Sequence, residues 1–327
     1  MKTRQQMFAT VALLSIAPSS VEELNAVYET GSKIVYTETS TTELTATDVT
    51  MSIGDHELPP EAAEGMKAEI EEVEEQSISY TTEVLETEDG VPTKVRRSFE
   101  TIEQSTSKAS EDTELTGVLV GRIIVIEQDG EDVSVEIDDD GDRVDEEFLA
   151  RHKLTNEIDA LLPEDDADVG DTWTLPRKFL EEMAGLQSIR FFEDDDEDEA
   201  FDEQLLEAAQ LEGQAKFEEI EEHKGLRCAK ITFTLEMSAE VDDPAFLDED
   251  EEAEAEGDIG GSVTVSMEVD GTLWFAMAEG RPVELKAKMG GDMDVDMFFS
   301  SERFDMNIEF SLEVDGSQHG EWANEDE

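Results

Sequence analysis

The chain has 327 residues, 38% of them hydrophobic, and its 88 acidic side chains against 23 basic ones give a formal charge of −65. That balance excludes nucleic acid as a partner, because phosphate contacts need Lys and Arg, and it excludes anionic membrane surfaces. A charge this large repels itself unless salt screens it, so the composition reads as that of a protein of a saline environment.

Lys2 and Arg4 precede an apolar run from Met7 to Ala17. The run is shorter than the about 20 residues a membrane-spanning helix needs, and Ala17-Pro18-Ser19 offers small residues for cleavage. Residues 1–20 therefore read as a secretory signal peptide, which makes the expected location secreted or periplasmic. No later segment is apolar enough to be read as a membrane span. Cys228 is the one cysteine, so an intrachain disulfide is ruled out.

Beyond Gly31 the pattern turns extended. A Thr-, Ser- and Val-rich run up to Ile53 suits a pleated surface, and Pro59-Pro60 stop it. Residues 61–75 read as a helix, with Met66, Ile70 and Val73 on one narrow stripe and glutamates elsewhere. Alternation returns at Ser77 with Ile78, Tyr80 and Val84, turns at Asp89-Gly90, and comes back through Val95, Phe99 and Ile102. Val118 to Ile126 is nearly continuous apolar sequence, the pattern of a strand covered on both faces. Asp129-Gly130 turns it into Val133, Val135 and Ile137, a hairpin. Asp145 then caps a helical stretch containing Phe148, Leu149, Ile158, Leu161 and Leu162.

Pro163 ends that stretch, Gly170-Asp171 turn the chain, and Trp173 opens a strand. A Trp placed there is expected to anchor the core, with its indole N–H on a backbone carbonyl. A short helix runs from Pro176 to Met183, with proline where its missing N–H costs nothing. An acidic run, 193–199, precedes a helix bearing Phe201, Leu205 and Leu206; a hairpin over 216–237 turns at His223-Lys224-Gly225; a second acidic run covers 248–256. The remainder alternates most clearly. Turns expected at Asp270-Gly271, Glu279-Gly280 and Gly290-Gly291 divide it into short strands. Leu273, Phe275, Met277, Val283, Leu285, Met293, Val295 and Met297 fall on one apolar face, joined by Met267, Met289 and Met306. Glu284, Lys286, Lys288, Asp292, Asp294 and Asp296 fall on the other. Residues 317–327 read as a frayed polar tail. Residues 21–316 read as one domain of two roughly similar halves, 21–168 and 169–316.

The chemistry-bearing residues form no motif. His56, His152, His223 and His319 are far apart, no nucleophile elbow or phosphate-cradling glycine loop is present, and Ser105-x-x-Lys108 lies in a Ser/Thr-rich stretch. One cysteine and scattered histidines make no zinc pattern. Asp138, Asp140, Gly141 and Glu147 fit part of a calcium loop, but Glu136 and Arg143 do not fit it, and the plainer reading is a hairpin-closing turn. No catalytic, cofactor or metal residue is assigned, and no enzyme is expected.

Three stretches carry a resemblance. They are the hairpin from Gly121 to Asp142, the passage from Leu161-Leu162-Pro163 into Val169-Gly170-Asp171-Thr172-Trp173, and the strands opened by Gly225 to Ile231 and by Gly271 to Phe275, with Gly280. Together they resemble a family of uncharacterised secreted bacterial proteins, over most of residues 30–300. More distantly, the long one-sided strands look like the half-barrel of lipoprotein-carrier proteins, which implies a concave apolar face for an acyl chain. The expected fold is mainly β (α+β): a long antiparallel meander, curved or half-barrel, with a few peripheral helices. The expected function is non-catalytic, with a lipid or other apolar ligand on that face as the candidate partner. The alternative is an acidic interaction protein binding cations or a partner through its charged runs.

Overall fold

The computed structural model describes residues 24–325 except 55, 110–111, 131, 142, 156, 185–188, 193–198, 243, 245–256 and 302–304. The expected signal peptide, nearly all of the first acidic run and all of the second lie outside the described residues. The strands are β1 (Lys33–Ile53), β2 (His56–Glu57), β3 (Glu72–Glu88), β4 (Val91–Lys108), β5 (Asp112–Thr116), β6 (Ile123–Asp129), β7 (Asp132–Ile137), β8 (Thr172–Thr174), β9 (Gln210–His223), β10 (Leu226–Asp242), β11 (Gly257–Ala276), β12 (Arg281–Ser301) and β13 (Asp305–Asn324). The helices are α1 (Pro60–Ile70), α2 (Arg177–Met183) and α3 (Glu199–Ala208), with two 3-10 turns at Glu146–Phe148 and Glu157–Leu161.

All the strands belong to one curved, unclosed antiparallel sheet of 13 strands in the order β7-β6-β4-β3-β1-β13-β12-β11-β10-β9-β8, with β2 on β1 and β5 on β4. Each half of the chain is an up-and-down meander. The two limbs join where β1 pairs with β13, from Ile34 opposite Asn324 to Ile53 opposite Met306. The mainly β fold read from alternation is therefore the observed one. The expected tail is not: residues 317–324 continue β13, and Trp322 is buried against the core. Ser317, His319 and Glu321 take the wet face of the strand while Trp322 takes the other.

Positive φ marks the tight turns. Asp89-Gly90 (52° and 83°) and Lys224-Gly225 (49° and 81°) close tight hairpins, as the sequence predicts. Asp270-Gly271 and Gly290-Gly291 do not turn. β11 and β12 run straight through them, so three strands of about twenty residues replace the expected five short ones. These glycines answer to close approach instead. A Cβ on Gly271 would lie 2.0 Å from the Phe233 ring, and one on Gly291 would lie 2.4 Å from the Ser266 carbonyl oxygen of the next strand.

Other boundaries also move. α1 stops at Ile70, and the Glu-rich stretch read as its last turns is the start of β3, because it pairs with β4 from Glu72 opposite Lys108. Residues 118–121 form a turn rather than the start of a doubly covered strand, and β6 begins at Ile123. The helix expected after Asp145 is reduced to the two 3-10 turns; the Asp145 side chain makes no capping bond.

The connection from β7 to β8 links the two outermost strands of the sheet, so residues 138–171 cross one of its faces. With α2, Phe191–Phe192 and α3, this connection covers the apolar face. Ile158, Leu161, Leu175, Phe179, Leu180 and Leu205 pack on Phe217, Ile231, Leu273, Phe275 and Leu285. Phe191, Phe192 and Leu149 pack on Phe99, Ile102, Ile124 and Ile126. Trp173 donates its indole N–H to the Leu161 carbonyl at 3.1 Å, which is the anchoring role expected for it. Tyr28, on the segment leading into β1, donates its hydroxyl to Asp159 in the same crossing connection.

Candidate functional site

The apolar face expected to hold a ligand is mostly closed by the chain itself. Phe275 and Leu285 are each 1% exposed, and Leu273 and Val295 are equally inaccessible. Met277, Met293 and Met297 are half-buried against the same core. Val283 is not on this face. The β11–β12 register shifts between Trp274 and Phe275, and Val283 packs instead with Cys228, Ala276, Leu226 and Trp274 in a separate cluster. A bulge is invisible to simple alternation because it flips every side chain on one side of it.

One margin of the face stays open. Between β7 and the segment 143–153 lies a groove of about 880 Å³, the size of a small-ligand site. Val133, Val135, Ile137, Val144 and Leu149 supply apolar lining, and Val133 is 50% exposed. Arg143, Arg151, His152 and Lys153 line it too, alongside Glu136, Asp139 and Glu146. Three cations and three carboxylates share this lining, a far more even balance than the 23 basic against 88 acidic residues of the whole chain. β7 is an outer strand, so among the described residues no strand continues the sheet beyond Val133, Val135 and Ile137.

The groove rests on a buried polar layer. Arg97 lies inside, over the Tyr80 ring at 4.6 Å, and donates to Thr82 Oγ1 and to the Lys153 carbonyl. Its guanidinium is 3.4 Å from Nδ1 of His152, whose Nε2 has no hydrogen-bond partner among the described residues. Burial, reinforced by the Arg97 charge, pushes His152 down to about 3, so its imidazole is neutral. Two of the three carboxylates read as part of a calcium loop are in ion pairs. Asp138 pairs with Arg96 and Glu147 with Arg190. Asp139 is held well below the usual carboxylate range by Arg122 and by the Ile123 and Gly141 N–H groups. Residues 139–141 form a bend after β7.

The opposite, wet face carries a second cluster. Glu284, expected to be solvated, is 3% exposed. It pairs in register with Trp274 and Glu321, one row from Lys286 opposite His319. His223 Nε2 lies 2.7 Å from one Glu284 oxygen; His319 Nε2 (2.9 Å), Lys286 Nζ (3.2 Å) and Lys224 Nζ (3.5 Å) surround the other. Burial alone would raise this carboxyl, but hydrogen bonds from His319, Lys286 and His223, with the Lys224 charge, hold it at about 2. His223 stacks on Trp274 with ring centroids 4.4 Å apart. Two histidines with no motif between them thus meet at one carboxylate. The β12–β13 register that joins them cannot be read from local sequence, and only the Lys224-Gly225 turn was a usable signal.

Cys228 is fully buried and burial raises its thiol, so it is no reactive thiolate. Among the described residues, no helix is long and apolar enough to cross a membrane.

No family model matches the chain, and no curated protein does. A solved outer membrane channel from Pseudomonas putida F1 aligns over 94% of this chain and 100% of its own, at 8% identity and a TM-score of 0.19, a similarity too low to support any argument.

Proposed function

We propose that the protein is a secreted or periplasmic, non-catalytic carrier that holds an amphipathic anion, an acyl chain with an acidic head group, in the groove beside β7. The observation that carries this reading is an apolar floor beside three cations, Arg143, Arg151 and Lys153, in a strongly acidic protein. Val133, Val135, Ile137, Val144 and Leu149 suit the chain, and Arg151 and Lys153, with the neutral His152 between them, suit the head group. The ligand position differs from the one expected on Phe275 and Leu285, which the chain covers itself. The polar layer beneath, from Arg97 through His152, gives the groove a fixed wall rather than a collapsible one.

The test is lipid extraction and native mass spectrometry of the purified protein, followed by titration with a fluorescent fatty acid. Saturable binding that Val133→Glu abolishes, with unfolding unchanged, is the expected result. Recovery of nothing apolar, together with dye binding indifferent to Val133→Glu, overturns the reading.

A further inference from the structure

We propose that Glu284, His319 and Glu321 form a site for a divalent transition-metal ion, and that the Lys224 ammonium is the built-in occupant which the ion displaces. The site is on the wet face of β12 and β13 and is independent of the groove beside β7.

One donor atom from each of these three residues lies within 4.8 Å of the others. His319 Nε2 is 2.9 Å from Glu284 Oε1 and 3.2 Å from Glu321 Oε1. Around a four-coordinate ion with bonds of about 2.0–2.2 Å, neighbouring ligand atoms stand about 3.3–3.6 Å apart. Two edges of the triangle are slightly shorter than that, so binding needs His319 Nε2 without its hydrogen and a small spreading of the side chains. Glu284 is held firm for the purpose. It is buried, and its second oxygen faces His223 Nε2 at 2.7 Å, an outer contact of the kind that orients a metal-bound carboxylate.

The place is already used by positive charge. Lys224 Nζ sits 2.8 Å from Glu321 Oε1 and 3.5 Å from Glu284 Oε1, between the two carboxylates. It hangs from a hairpin turn and is 39% exposed, so it can swing into water at small cost. Lys286, 3.2 Å from Glu284 Oε1 and over the Trp274 ring, stays and opposes the ion. The nitrogen ligand separates this site from the exposed carboxylates of the same face. It selects zinc, cobalt or nickel over calcium and magnesium, which prefer oxygen alone.

Cobalt(II) is the probe, titrated into the full chain at about 1 M NaCl, where the Debye length is about 3 Å, with magnesium in excess to occupy exposed carboxylates. Visible absorption of nitrogen-ligated cobalt is the readout. A saturable signal for one ion is expected, lost in His319→Ala. His223→Ala should weaken it about 10- to 100-fold, the usual effect of removing an outer contact. Lys224→Asn removes the competing charge and suits the positive φ of its turn, so it should tighten binding by at least about tenfold. A network that serves packing alone predicts the opposite: no cobalt signal in the wild type and none in Lys224→Asn. That result overturns the proposal, as does a signal that survives His319→Ala. Should His319→Ala fail to fold, the Lys224→Asn titration decides.

Discussion

Phe275 and Val135 both belong to strands that alternate apolar and polar residues, yet they meet different surroundings. On the β8–β13 limb, α2, α3 and the residues around Leu161 close over Phe275 and leave it 1% exposed. On the β3–β7 limb, Phe191 and Phe192 cover Phe99 and Ile102, but the cover stops short of β7, where Val133 is 50% exposed. Alternation reports which face of a sheet avoids water. It does not report what covers that face, because the cover comes from a connection whose path depends on the order of the strands.

The contrast can be broken at Phe275. Phe275→Ala should cost about 3–5 kcal/mol, the usual result of emptying an aromatic core site, measured by denaturant unfolding at fixed high salt. A loss below about 1 kcal/mol would mean that this limb is as open as the other.

Asp159 probes the crossing connection itself. Burial raises its carboxyl from 3.8 to about 6, partly offset by the Tyr28 hydroxyl. The native state therefore holds the proton more tightly than the unfolded chain. The associated stability is present below about pH 4 and is lost as pH rises through about 6. Asp159→Asn should raise unfolding free energy at pH 8 by up to about 3 kcal/mol and change little at pH 4.

His152 marks the border between covered and open face, with the opposite sign. Its folded value of about 3 lies below its ordinary 6.5, so only the unfolded chain takes up a proton between those values. Its stabilising contribution is complete above about pH 6.5 and should decline by about 1.4 kcal/mol per pH unit as pH falls toward 3. His152→Leu should flatten that slope in a pH series of unfolding curves. The smallest effect belongs to the open margin: Val133→Ala should change stability by no more than about 0.5 kcal/mol, the norm for an exposed position, while weakening the ligand binding proposed for the groove.

Much of this architecture was legible locally. The turns at Asp89-Gly90, Asp129-Gly130 and Lys224-Gly225, the role of Trp173, and the apolar side of β10–β13 all follow from near neighbours in sequence. What escaped depends on distant partners. Gly271 and Gly291 look like turn residues until Phe233 and Ser266 are brought against them. Trp322 looks like part of a loose tail until β1 lies alongside it. The Glu284 cluster needs three hairpin registers to be right at once, and the groove needs the path of residues 143–153, which periodicity does not give.

The pairing of β1 with β13 has a consequence for how the molecule is made. Of the described strands, β1 is made first, and one of its two neighbours, β13, is made last. Until residues 305–324 are complete, β1 presents a bare edge of some twenty residues, and the two meanders are separate objects. Contacts this distant make for slow folding and a long interval of vulnerability to pairing between chains. The Thr and Ser of β1, with Glu38 and Glu43 among them, are the side chains that a waiting edge would need to stay in solution.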